Sequence, residues 1–193
     1  MIAHIQGKLV EKNPTDVVID CNGVGYFLNI SLHTYSRIPD KEQLKLYTHL
    51  HIREDAHTLF GFADKSERDI FRLLISVSGI GTSTARTMLS SLTPVQVRDA
   101  IASNDVAAIQ SIKGIGAKTA QRVILDLKDK VLKIYDLEET ASGHKGTNGE
   151  EALSALEVLG FTRKQSEKVV DKITKEAPDL SVEDIIKNAL KML

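Results

Sequence analysis

The sequence predicts a multidomain α+β chain with three folded parts: a small β-barrel, an all-α segment and a three-helix tail. Three observations carry that prediction. Up to residue 63, apolar residues come in short β-branched or aromatic runs separated by turn signals. From Ser66 the apolar spacing becomes helical. From Leu137 to Gly149 apolar periodicity disappears, and the stretch is polar and glycine-bearing. The expected boundaries are therefore 1–63, 64–136, 137–149 and 150–193.

In the first part, Thr15 to Asp20 and Tyr26 to Ile30 read as strands joined by the turn signal Asn22-Gly23. Ile5 to Val10, Leu44 to Ile52 and His57 to Phe62 are further strands. Five short strands in about sixty residues suggest an OB-fold barrel, and a small SH3-like barrel would give much the same pattern. In the second part, Ile70, Phe71, Leu73, Leu74 and Val77 share a helix face, as do Val123, Ile124, Leu127 and Val131. Thr93-Pro94 marks a helix start with proline at the first helical position. Residues 137–149 are expected to form a flexible linker spanning roughly 20 Å on random-coil scaling. In the tail, a helix from Glu150 to Leu159 should end at Gly160. Thr162 should cap a second helix, and Ser181, with Asp184 three residues on, a third.

Composition narrows the function classes. The 193-residue chain is 42% apolar and 26% charged, ordinary for a water-soluble protein with a real core. Its one cysteine, Cys21, excludes an internal disulfide and a cysteine-based zinc site, and suits a reducing cytoplasm. No basic flank and apolar run opens the sequence as in a signal peptide, and no stretch approaches the ~20 apolar residues of a membrane span. The formal net charge of −1 argues against a generic polycation. It hides an asymmetry, because residues 64–135 hold 11 basic and 7 acidic side chains, a net of +4. A polyanion would be steered to that segment.

Within it, one pattern occurs twice. Val77-Ser78-Gly79-Ile80-Gly81-Thr82-Ser83-Thr84-Ala85 returns 35 residues later as Ile112-Lys113-Gly114-Ile115-Gly116-Ala117-Lys118-Thr119-Ala120. Each copy lies between helical segments, which makes it a helix-hairpin-helix. Glycine permits the positive φ of a tight turn and lets the backbone approach a phosphate closely. The free N–H groups and dipole of the following helix make an anion site. Ile80 and Ile115 should anchor the turns, and Ala85 and Ala120 should permit close helix packing. The expected backbone-binding residues are Gly79, Gly81, Thr82, Ser83 and Arg86 in the first copy, and Gly114, Gly116, Lys118 and Thr119 in the second. Paired hairpins on two phosphates read no bases, so binding should be sequence-independent.

Other signals weigh less. Gly114 to Thr119 looks like a phosphate-binding loop of nucleotide hydrolases. That loop needs glycine immediately before the lysine; here Ala117 stands there. Of six histidines, five (His4, His33, His49, His51 and His57) fall in the first part, without the spacing of metal ligands, and are expected at the surface. Glu54 and Asp55, between two strands, read on their own as a solvated turn. Leu156, Leu159 and Phe161 read on their own as tail core.

A rival of another class is a base-excision glycosylase or nuclease anchored by the hairpins, with Asp136 near the spacing of a catalytic aspartate. Against it stand the absence of tryptophan, few aromatics for a flipped-base pocket and no clustered carboxylates. A single-strand-binding barrel would need stacking aromatics, for which only Tyr26, Phe27, Tyr35, Tyr47, Phe60 and Phe62 are available.

The whole chain resembles the RuvA family of Holliday-junction-binding proteins. Met1-Ile2 with Gly7, Gly23-Val24-Gly25-Tyr26, Arg53-Glu54-Asp55-Ala56, Leu59-Phe60-Gly61-Phe62, both hairpins and Leu159-Gly160-Phe161 fall in family order. The resemblance implies an OB-fold domain, a double helix-hairpin-helix domain and a mobile, UBA-like three-helix domain. It implies a homotetrameric plate, or an octamer of two plates, that holds a four-way junction open and square for branch migration in DNA recombination and repair. The implied partners are the RuvB ATPase, which uses ATP and magnesium, and the RuvC resolvase. No catalysis, cofactor or metal is expected of this chain itself. Glu54 and Asp55 become an acidic pin at the crossover, with Arg53 beside it to tether a phosphate. Leu156, Leu159 and Phe161 become a motor-binding patch. One departure stands out: family members often carry Pro-Lys after the first hairpin, where this chain has Thr82-Ser83.

Overall fold

The computed structural model describes residues 2–39, 41–143, 148–177 and 180–193, with the backbone alone for residues 133–143. It divides into two compact units, Met1–Leu132 and Lys133–Leu193.

The first unit opens with a barrel. Strands β1 (His4–Asn13), β2 (Asp16–Cys21) and β3 (Val24–Asn29) form an antiparallel meander. The Asn22-Gly23 turn has positive φ at both residues (56° and 90°), as a two-residue hairpin requires. Helix α1 (Leu32–Arg37) follows, a short element absent from the sequence reading, and then β4 (Gln43–Ile52) and β5 (His57–Phe62). The strand order β1-β2-β3-β5-β4 closes because β1 pairs with both β2 and β4, and β3 meets β5 in parallel at Asn29 and Phe60. A register shift between Leu9 and Glu11 lets β1 bend across both neighbours. Val17, Ile19, Leu28 and Leu46 fill the interior, each at most 1% exposed. This five-stranded closure is the OB-type arrangement.

The helical part packs directly on the barrel. It comprises α2 (Lys65–Ile75), α3 (Thr82–Ser91), α4 (Pro94–Ala102), α5 (Val106–Gln110) and α6 (Ala117–Gly143). Thr93 closes α4 with a full capping box to Gln96, with proline inside the first turn. Phe71 of α2 is fully buried, with ring centroids 5.1 Å from Phe60, 5.0 Å from Phe62 and 5.6 Å from His49. His49, expected at the surface, is thus part of this interface. Burial is the main cause that holds its imidazole below the ordinary histidine pKa, with Arg72, His51 and Arg68 adding to the effect.

Two polar contacts lock the same seam. Glu67 of α2 is fully buried and accepts hydrogen bonds from the Ser31 hydroxyl and, at 2.6 Å, from Thr34 Oγ1. Those hydroxyls in turn accept the N–H groups of Thr34 and Ala63 at 3.0 Å, so no polar group of the cluster is wasted. Arg86 of α3 reaches back to Asn29 Oδ1 at 2.8 Å and Thr15 O at 3.4 Å.

In the second unit, α7 (Asn148–Val158), α8 (Arg163–Glu176) and α9 (Val182–Ala189) enclose a core that includes Leu153, Leu156, Val170 and Ile185. Ser181 caps α9 as expected, accepting Asp184 N–H at 3.2 Å. Thr162 stands at the N-cap of α8 as expected, but its hydroxyl donates to Gln165 Oε1 at 2.6 Å and does not accept a helix N–H. The expected linker is also corrected. Residues 137–143 continue α6 and Asn148–Gly149 begin α7, leaving 144–147 outside the described residues. Leu137, Glu138, Glu139 and Ala141 are good helix formers, and helix propensity needs no apolar face to extend a helix already nucleated.

Candidate nucleic-acid interface

The two copies of the motif fold alike. Val77 and Ile112 end the incoming helical turns, and their carbonyls accept the N–H groups of Ile80 (3.0 Å) and Ile115 (3.1 Å). Between them, Gly79 and Gly114 adopt φ of +97° and +93°, a region that L side chains rarely enter. Ile80 and Ile115 are buried at 4% and 5% exposure, and Ala85 and Ala120 at 0%, so the anchor and close-packing roles expected of them hold.

The second glycine of each turn does different work. Gly81 is the N-cap of α3, with φ of −85°, and Gly116 stands at the same place before α6. The first intrahelical bonds are Ala85 N–H to Gly81 O (3.0 Å) and Ala120 N–H to Gly116 O (2.9 Å). The N–H groups of Thr82, Ser83 and Thr84, and of Ala117, Lys118 and Thr119, precede those bonds and have no helical acceptor. Side-chain oxygens close α2 (Asp64), α4 (Thr93), α5 (Asp105) and α9 (Ser181). Glycine offers no such oxygen, so the hairpin helices keep their donors for an outside acceptor. A Cβ built on Gly81, Gly114 or Gly116 would meet no atom within 4 Å. The turns therefore face open space through which an anion can reach the donors.

The turns also lie side by side. A Cβ on Gly79 would come 3.7 Å from Thr119 Cγ2, and Arg122 of α6 donates through Nη1 to Ser78 O at 3.5 Å. The sequence reading did not single out Arg122; its signal, a basic residue one turn into the second helix, is too common to stand out. Lys118 is exposed and Thr119 half-buried, as suits phosphate contacts. Arg86 is the exception. The structure commits it to the barrel, which corrects its expected role at the first hairpin.

Glu54 and Asp55 form the exposed tip of the β4–β5 hairpin, closed by Arg53 N–H to Ala56 O at 2.9 Å. Arg53 Nε lies 3.6 Å from Asp55 Oδ1, with both side chains mostly exposed. β5 ends opposite Tyr47, α2 begins three residues later, and Phe71 lies against His49 and Phe60.

In the tail, Leu156 is fully buried in the core, which corrects its expected place in a surface patch. Leu159 is 58% exposed and Val158, not singled out from sequence, 86% exposed; Phe161 is half-buried against the core. Among the described residues, no group of three His, Cys, Asp or Glu side chains could hold a metal ion, and no helix is long and apolar enough to cross a membrane. The side chain of Asp136, central to the glycosylase alternative, lies outside the described residues.

Three family models cover the chain: the RuvA N terminal domain matches residues 1–61, a SAM-like helix-hairpin-helix tandem residues 71–129, and the RuvA C-terminal domain residues 147–193. Curated relatives span the full length of both partners. A protein of Christiangramia forsetii is 68% identical, one of Flavobacterium psychrophilum 67%, and one of Bacteroides thetaiotaomicron 51%. Each of the three is described as Holliday junction branch migration complex subunit RuvA.

Proposed function

The chain belongs to the RuvA family, and on that premise we propose that it is the non-catalytic, DNA-binding subunit of a Holliday junction branch-migration complex. One observation carries the role of its central segment: two like glycine turns, side by side, each leaving helix N–H donors uncapped and open to solvent. Such a pair grips two phosphates of one duplex without reading bases. Gly79 and Gly114 shape the turns, Gly81 and Gly116 give the phosphate room, Thr82, Ser83 and Thr119 present donors, and Lys118 adds charge.

Four chains in a flat plate would give each junction arm its own pair of hairpins. Four Glu54-Asp55 tips would then gather near the crossover. Their carboxylates repel phosphates and keep strands apart while bases exchange, with Arg53 tethering a backbone beside them. Each exposed pair is worth only about 1 kcal/mol at 4 Å in water, so the tips tune binding rather than drive it. ATP and magnesium belong to the RuvB-type motor, which the tail recruits through Val158, Leu159 and the exposed part of Phe161. A second plate and a RuvC-type resolvase complete the proposed set of partners, in the cytoplasm. The glycosylase or nuclease alternative has no support from the relatives' descriptions.

The test is competition between a labelled four-way junction and linear duplex across a salt series. Junction preference is expected, and with about eight phosphates contacted the slope of log affinity against log salt should be on the order of −7. Equal affinity for junction and duplex would refute the proposal.

A further inference from the structure

We infer that Arg122 of the second repeat supplies the first hairpin with the phosphate-binding cation that its own repeat lacks. The inference rests on the hairpin reading above and adds to it a residue and a division of labour.

The two copies differ in charge at corresponding places. Lys113 and Lys118 flank the second turn; at the same offset, Ser78 and Ser83 flank the first. The first turn thus has open space at Gly81 and uncapped donors but no cation of its own. Arg86, one turn into α3, does not make up the difference: it is half-buried, and its Nη1 is turned to the barrel, onto Asn29 Oδ1 and the carbonyl of Thr15.

Arg122 comes from the other side. In the repeat it corresponds to Thr87, so it has no counterpart at its own position in the first copy. Packing of the turns, with Thr119 3.7 Å from where a Gly79 Cβ would lie, brings α6 against the first hairpin. Arg122 is exposed and touches that hairpin at the carbonyl of Ser78, the residue before Gly79, using one Nη1 proton. A guanidinium has five donors in a planar fork, so most remain for a phosphate at the mouth of the turn. Donors from Thr82 to Thr84 and the charge of Arg122 would then meet on one phosphate, as those of Ala117 to Thr119 and the charge of Lys118 meet on the other. The symmetry of the grip is restored in space although it is broken in sequence.

The experiment uses the full chain and a fluorescent synthetic four-way junction. Arg122→Ala should weaken junction binding by about tenfold or more and lower the salt slope by about 1 for each chain in contact with DNA. Its melting temperature should stay that of the parent. Arg122→Lys should keep the slope. Adding Ser83→Lys to Arg122→Ala puts the cation where the second repeat has it, and should recover both affinity and slope. Lys118→Ala serves as the control on the hairpin reading. If Lys118→Ala weakens binding and Arg122→Ala does not, the inference is wrong and the reading stands. If neither weakens binding, the reading fails and the inference with it. If Arg122→Ala loses affinity with an unchanged slope and no recovery by Ser83→Lys, Arg122 only braces the Ser78 carbonyl, which also overturns the inference.

Discussion

Adding one methyl group should separate the two glycines of each hairpin into a folding glycine and a binding glycine. At Gly116 a Cβ meets nothing within 4 Å, and φ lies outside the positive region. Gly116→Ala gains roughly 0.4–1 kcal/mol from a less flexible unfolded chain. It gives back a similar amount because alanine is a poorer N-cap than glycine. Stability should therefore change by less than about 0.5 kcal/mol. Binding should change far more, because the methyl occupies the space through which a phosphate reaches the N–H groups of Ala117 to Thr119. A hydrogen bond to a charged group is worth about 1.5–3 kcal/mol. Losing one corresponds to roughly 10- to 100-fold in affinity. Gly114→Ala should behave in the opposite sense. With φ at +93°, the new side chain costs about 1–3 kcal/mol of backbone strain. That should appear as a melting temperature lowered by about 2–12 °C. The assay pairs thermal melts with junction titrations on both variants. Parent-like junction affinity in Gly116→Ala would refute the claim that this face of the turn receives a phosphate. Parent-like stability in Gly114→Ala would refute the backbone argument.

Three further outcomes are expected. Glu54→Gln with Asp55→Asn should fold normally, because both groups are exposed at a hairpin tip, and should bind ordinary duplex more tightly; unchanged duplex affinity and branch-migration rate would remove the acidic tip from the mechanism. Glu67→Ala should cost on the order of 3 kcal/mol in urea unfolding by stranding the Ser31 and Thr34 hydroxyls. Burial pushes the Glu67 carboxyl above its ordinary value of 4.5, with the two hydroxyls opposing it, so the native state holds the proton longer than the unfolded chain. Stability is then greatest below the unfolded pKa and declines as pH rises through the folded one; relative to Glu67→Gln the parent should lose ground from acid towards neutral pH, and a flat difference would contradict the shift. Leu159→Glu should leave the tail folded yet abolish stimulation of the ATPase motor, whereas Leu156→Ala should unfold the tail, at a cost of about 2–5 kcal/mol; motor stimulation that survives Leu159→Glu would move the docking surface elsewhere.

The parts of the molecule that sequence reasoning reached are those written in local periodicity. The five strands, the Asn22-Gly23 turn and both glycine hairpins each depend on residues within about ten positions of one another. Contacts across long separations carry no such signature. Ser31 and Glu67 stand 36 residues apart, and Arg86 and Asn29 stand 57 apart. Arg86 therefore read as a free cation beside a hairpin, and Glu67 as an ordinary helix acid. Helix α1 was missed because Leu32 to Arg37 is too short to show a period, although its Ser31 cap was visible as a residue type.

The tail gives the most instructive miss, since Leu156 and Leu159 have the same side chain three residues apart and opposite fates. On a continuing helix, 153, 156 and 160 would share the buried face, and 159 would stay beside 156. The helix does not continue. Gly160 adopts φ of +99°, its N–H bonds to Glu157 O at 3.0 Å, and the Phe161 N–H bonds to Leu156 O at 3.1 Å. That is the six-to-one and five-to-two bonding of a Schellman end, in which the residue after the glycine folds back on the last full turn. Phe161 thus covers the core above Leu156, the space Leu159 would otherwise fill. Leu159 becomes the cap residue and is turned out beside Val158. The glycine that ends the helix is therefore also what exposes the apolar pair. Replacing it with alanine should strain the turn and disturb partner docking together, a coupling that Leu159→Glu, which leaves the turn intact, would not show.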